Sequence, residues 1–250
     1  MNNGIVKNCF RPNCNSQMLL LFLVLFISSC NNNLKKTAPT QLPDTTPKTI
    51  NHKMTGKELV YNLEKAGYFK YTDNDKLAFV QDSIIKHFET DKVFITEFNS
   101  KPPFKSYDLR FYDCGDGEEL YEEGGVIDLL KEMQPFFDKN RVKLHYSDDN
   151  YINDFHSIKI NGRTYVMAKG SLLMWGETMA QFVEMVNFEL QDQHSSERLY
   201  LMTNENEYMM FLTQEQYDIL TANLAFDKRP QTVNEWVKNK TDEMQRMMNR

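Results

Sequence analysis

The chain has 250 residues, a formal net charge of −6, 41% apolar and 26% charged residues, and only ten Gly and eight Pro. That composition excludes a collagen-like or Pro/Gly-rich low-complexity chain and a wholly disordered one. The acidic balance argues against a general nucleic-acid binder, which needs a basic stripe to displace counterions from phosphates, and four cysteines in this length do not make a disulfide scaffold.

Met1 to Gln17 carries Lys7 and Arg11 and no acidic residue. Met18 to Ile27 is then uninterrupted apolar sequence, and Ser28-Ser29-Cys30 follows at once. A positive n-region, a short apolar core and small residues before a cut predict a secretory signal peptide. Ten helical residues at about 1.5 Å each reach about 15 Å, half a hydrocarbon core, so the segment is a poor spanning helix.

Ile27-Ser28-Ser29-Cys30 resembles the lipobox of bacterial lipoproteins: an aliphatic residue, two small residues and a Cys. The resemblance covers residues 1–30 alone. It implies that Cys30 is diacylated on sulfur, that the signal is cut before it, and that the new amine is acylated. Several acyl chains anchor a protein stably where a single one holds it marginally. Asn31 is not the acidic residue that retains lipoproteins in the inner membrane, and no acidic cluster follows Cys30. The family pattern therefore implies the inner leaflet of an outer membrane, facing the periplasm, in a Gram-negative source. Processing would remove Cys9, Cys14, Lys7 and Arg11 and commit Cys30 to lipid. Cys114 would then be the lone thiol, and the formal charge would fall by two to −8. Such acidity favours a cationic partner and disfavours adhesion to anionic lipid.

Asn31 to Lys53 is rich in Asn, Thr, Pro and Lys, with Pro39, Pro43 and Pro47 at regular intervals. It cannot bury enough surface to fold, and residues 30–53 are expected to form a disordered tether. The folded part is expected over residues 54–250. Thr55-Gly56-Lys57-Glu58 reads as a capping box opening a helix through Leu59, Leu63 and Ala66 to Gly67. A second helix is predicted from Asp75 to Phe88, with Leu77, Val80, Ile84 and Phe88 at helical spacing. Val93–Phe98 and Tyr107–Tyr112 read as strands. After an acidic stretch, Val126–Met133 is helical, and Pro135 should end or kink that helix near Gln134.

Arg141–Tyr146 is predicted as a strand. Alternating runs on either side of Asn161-Gly162 predict a tight hairpin of Ser157–Ile160 with Arg163–Val166, because both central turn residues need positive φ. Met179, Phe182, Val183, Val186 and Leu190 then line one helix face. Leu199–Met202 and Tyr208–Leu212 form a second predicted hairpin across Asn204-Glu205-Asn206. Thr213 caps a helix carrying Tyr217, Leu220 and Leu224, and Thr232 opens a last one with Val233, Trp236, Val237, Met244 and Met247. Helices and hairpins mix without regular strand–helix alternation, so the expected class is α+β, several helices packed on antiparallel hairpins. Asp148–Asp154 is the place where an internal boundary would fall, but a single domain is preferred.

The most unusual segment holds Asp113, Asp116, Glu118, Glu119, Glu122 and Glu123, with four glycines and no basic residue. These side chains could meet the basic surface of a partner protein or hold Ca²⁺, although the spacing does not match an EF-hand loop; the simplest reading is a solvated loop before a helix. Cys114 lies among carboxylates that raise a thiol pKa and so oppose nucleophilic use. Ser83-Ile84-Ile85-Lys86 matches the Ser-x-x-Lys of penicillin-binding proteins, yet their other motifs are absent. His145 and His156 flank Asp148, Asp149 and Asp154, an arrangement open to acid–base or metal chemistry. Trp175 and Trp236 could stack a ligand or anchor a partner, and Met244, Met247 and Met248 could form an adaptable face.

No cofactor and no metal site is expected. The functional expectation is a non-enzymatic, lipid-anchored, immunity-like acidic domain that captures a basic protein. The alternatives are a carboxylate- or metal-dependent envelope hydrolase and a structural envelope protein.

Overall fold

The computed structural model describes residues 54–92, 94, 106–153, 155–170 and 174–249. The signal peptide, Cys30 and the tether lie outside the described residues. So does the expected strand Val93–Phe98, apart from Phe94, which is buried. The chain divides into Met1–Ile50 and Asn51–Arg250, and all described residues belong to the second unit.

The described residues form an α+β fold. Helices α1 (Gly56–Lys65) and α2 (Leu77–His87) flank a 3-10 turn, Tyr68–Tyr71. Strand β1 (Phe111–Asp113), the short helix α3 (Glu118–Tyr121) and α4 (Gly125–Asn140) come next. β2 (Tyr146–Ile152), β3 (Phe155–Ile160) and β4 (Arg163–Lys169) lead to the long helix α5 (Met174–Asp192). β5 (Glu197–Thr203), β6 (Glu207–Thr213), α6 (Gln214–Asn223) and α7 (Val233–Met248) complete the order. All three Thr capping boxes form: at Thr55, Thr213 and Thr232 the hydroxyl accepts from the third backbone N–H while the Glu or Gln there reaches back. Each such cap satisfies donors that a helix start leaves orphaned.

Two antiparallel sheets are present, β1-β6-β5 and β2-β3-β4. The first is covered on both faces. Alternation sends Tyr112, Leu199, Leu201, Met209 and Phe211 into one core with α4, α5 and the second sheet. It sends Phe111, Tyr200, Met202, Tyr208, Met210 and Leu212 into another with α1, α2 and α6. A period of two on a strand makes this division automatic. Phe211 stacks on Phe136 at 3.7 Å between ring centroids. The outer edge of β5 is closed by a two-way backbone bridge between Leu201 and Gln231, at 3.0 and 2.8 Å. The second sheet turns on Asn161 and Gly162, at φ 48° and 82°, the positive-φ pair that a tight hairpin demands. Its outer strand β2 carries a register shift between Ser147 and Asn150.

Several expectations need correction. Pro135 does not end its helix: α4 continues to Asn140, because Phe136 and Phe137 beyond the proline are fully buried. Burying two such rings is worth about 1.5–3 kcal/mol each, enough to offset one lost helical bond. The helix stops instead at Arg141, in left-handed conformation at φ 58°. The predicted strand Arg141–Tyr146 is not one, since β2 starts where it should end. Side chains replace the ladder there: Gln193 bonds both backbone groups of Lys143, and Asn161 bonds Lys143 O and His145 N. The stretch Tyr107–Tyr112 is strand only from Phe111. Asp108 Oδ1 takes the Arg110 N–H at 3.0 Å and turns the backbone away from the ladder before it. The place where an internal boundary would fall, Asp148–Asp154, lies largely within β2.

Candidate functional site

Backbone geometry gathers the acidic segment at the end of β1. Cys114 N bonds Glu207 O and Glu207 N bonds Gly115 O, tying the segment to β6. Asp113 Oδ1 accepts from Gly115 N at 3.0 Å, and Asn206 Nδ2 holds both Asp113 oxygens at 3.1 and 3.2 Å. Asp116 Oδ1 accepts from Glu118 N at 3.0 Å, starting α3. Gly117 has φ 85°, and a Cβ there would meet Met179 Sδ at 2.6 Å, so the chain lies against α5. A Cβ on Gly125 would fall 2.0 Å from the Glu119 carbonyl oxygen. Only glycine permits so close an approach of α3 to the start of α4.

The result is a cleft of about 350 Å³ lined by Asp113, Cys114, Glu119, Glu122, Glu123, Asp128 and Glu132, with Leu120, Gly125 and Leu129. Four of the six sequence-selected carboxylates therefore share one cleft, joined by two from α4. Asp116 and Glu118 do not line it. No basic residue lines the cleft, although Lys131 reaches Asp128 at 2.8 Å from outside. Burial, and then the charges of Asp113, Glu132, Glu207 and Glu119, push the Cys114 thiol far up. A raised thiol pKa opposes its use as a nucleophile. Among the described residues, no group of three or more His, Cys, Asp or Glu is placed to hold a metal ion.

The other sequence candidates separate. In the Ser-x-x-Lys pair, Lys86 pairs with Asp82 at 2.5 Å and Ser83 Oγ lies 3.2 Å from His87 Nδ1. His156 does meet Asp149, Nε2 to Oδ1 at 2.7 Å, across β2 and β3. Its ring is fully buried beside Tyr151, so the pair fastens β2 to β3. His145 serves through its backbone, and Asp154 lies outside the described residues.

Two features escaped the sequence. One is a buried charge centre. Arg110 is fully buried and bonds Glu197 through Nη1 at 2.7 Å and Nη2 at 3.3 Å, Phe211 O at 2.9 Å and Tyr68 O at 2.8 Å. Lys70 adds a contact to Glu197 at 2.7 Å. The other is a groove of about 690 Å³ between the first turns of α5 and the length of α7 from Trp236 to Met247. Trp175 and Trp236 meet edge to face at its floor, 6.2 Å between centroids. Trp236 Nε1 donates to Thr203 Oγ1 at 3.0 Å and Glu207 at 3.1 Å, which fixes the ring. Both tryptophans were visible as candidates; their convergence was not, because it depends on how α5 and α7 cross.

Comparison of the chain with family models, curated proteins and solved structures gave no match.

Proposed function

We propose that the chain is a lipid-anchored envelope protein whose folded part is a non-enzymatic acidic module that captures a basic protein, as an immunity protein does its toxin. Cys30 is the lipidated residue, and the inner leaflet of the outer membrane is its place. The observation that carries the reading is the cleft: six carboxylates around one concavity with no basic residue in its lining. Same-sign charge at a concave surface raises the local concentration of an opposite-sign partner and speeds encounter, and salt weakens it. Metal or nucleophilic chemistry gains no comparable support from the residues gathered there.

The test is capture from an envelope extract at low and high salt, with the native chain and with Glu118, Glu119, Glu122 and Glu123 all changed to Gln. The reading requires a captured basic protein that is lost both in salt and on neutralisation. Capture that ignores both treatments overturns it. Anchoring is tested separately, by labelled palmitate that enters the native chain and not Cys30→Ala.

A further inference from the structure

The groove between α5 and α7 deepens this reading by naming the chemistry of a partner. Its walls are apolar: Trp175 and Ala180 on α5, Trp236, Val237, Met244 and Met247 on α7. Val237, Met244 and Met247 follow helical spacing, and Val237 and Met247 are 42% and 62% exposed. Apolar positions in a row that keep surface open to water, beside an aromatic floor, are the seam into which a second helix packs. Methionine suits such a wall because its unbranched, polarizable side chain adjusts to what it meets.

Charge decides what kind of helix fits. Glu177 and Glu243 stand on the rim. The one lysine of the lining, Lys240, sits 5.9 and 5.7 Å over the two indole rings and is paired with Glu207 at 2.5 Å. Its charge is thus already matched, and the rim is left acidic. The acidic segment adjoins this site, since Gly117 packs on Trp175 and Tyr121 donates to Met174 Sδ at 3.0 Å. An anionic amphiphile would meet repulsion on both sides. We infer that the groove binds an amphipathic helix of a partner protein, apolar on the face that enters and basic on its flanks. This rests on the reading of the domain as a protein-binding module.

The chain's only two tryptophans both line the groove, so their emission reports its occupancy directly. The full chain is placed in phosphatidylcholine nanodiscs and titrated with a Leu/Lys heptad peptide, and with a Leu/Glu peptide of the same apolar face. The Leu/Lys peptide should shift the emission and saturate, bind more weakly as salt rises, and exceed its Leu/Glu counterpart. Met244→Ser with Met247→Ser, at a half-buried and an exposed position, should weaken it by about tenfold or more, the usual cost of emptying a packed contact. Glu177→Gln with Glu243→Gln should narrow the preference for Leu/Lys. The inference is overturned if emission does not respond, if the two peptides bind alike, or if the Met variant binds as the native chain does. A shift already present in the nanodiscs alone, lost in the Met variant and insensitive to peptide, identifies lipid as the occupant and overturns it too. Failure of the acidic cleft is scored apart, by partner capture in the four-Gln chain.

Discussion

Asp108 and Glu197 lie fully buried around Arg110, whereas Glu119, Glu122 and Glu123 line a cleft open to water. The chemical groups are nearly the same, and their surroundings give them opposite roles. Inside, Glu197 is matched by two basic partners, and the guanidinium is spent on that carboxylate and two backbone carbonyls, whereas Asp108 takes only the Arg110 N–H through Oδ1 and leaves Oδ2 without a hydrogen-bond partner among the described residues. Burial alone would raise the Glu197 pKa, but Arg110 and Lys70 outweigh it and hold the carboxyl below its ordinary value. In the cleft, water solvates the charges, so carboxylates can crowd together with no basic residue in the lining and meet a cation. A buried ion pair contributes definition more than net stability, and removing one member strands the other. Arg110 also contacts the Tyr68 and Tyr71 rings, which belong to different cores, so the centre fastens the two layers across the sheet.

The largest expected effect is at Arg110. Arg110→Met should lower unfolding free energy by about 3–5 kcal/mol, because buried carboxylates lose their partner. A urea titration showing a loss under 1 kcal/mol would erase the contrast between the two regions. Next comes pH. Burial, only partly offset by Arg110, pushes Asp108 from 3.8 up to about 6. Below the lower value both folded and unfolded chains are protonated there. Between the two values only the unfolded chain ionises, so native stability falls as pH rises, and the loss is complete above the folded pKa. Asp108→Asn should remove that fall, gaining on the native chain by about 2–3 kcal/mol between pH 4 and 7. Parallel stability profiles for the two chains would refute the assignment. The smallest effect belongs to the acidic segment, of which Glu119, Glu122 and Glu123 line the cleft and Glu118 does not. Changing Glu118, Glu119, Glu122 and Glu123 to Gln should alter stability by no more than about 0.5 kcal/mol per site, while partner capture is lost. Thermal melts showing a collapse of the four-Gln chain would mean that these side chains hold the fold.

That contrast also explains what the sequence made legible. The acidic segment announced itself because its charges crowd into one short stretch of sequence, and most of them do share a cleft. The capping boxes at Thr55, Thr213 and Thr232 and the turn at Asn161-Gly162 could be read because their chemistry is local. The buried centre could not be: Arg110 and Glu197 are separated by 87 positions, and nothing in either neighbourhood marks the meeting. Pro135 misled for a related reason. Its local preference is to break a helix, and the distant rings of Tyr71 and Phe211 supply packing that overrides it. The β2 strand was hidden by Ser147, Asp148 and Asp149, which look like a loop because that strand lies at an edge with one side toward water. The groove was half legible. Its two indoles stood out, but neither the crossing that brings them together nor the matching of Lys240 by Glu207 has a sequence signature.

The bridge from Leu201 to Gln231 has a consequence for colloidal behaviour. A bare strand edge offers a row of unmatched donors and acceptors that recruits the edge of another molecule. On one side of the central sheet, β5 spends part of that row on Gln231; on the other, β1 is only three residues long. In the second sheet, β2 is bent by its register shift and carries Asp148 and Asp149, which blunt an edge in the same way. Three of the four sheet edges among the described residues are thereby blunted against zipping onto a neighbouring molecule.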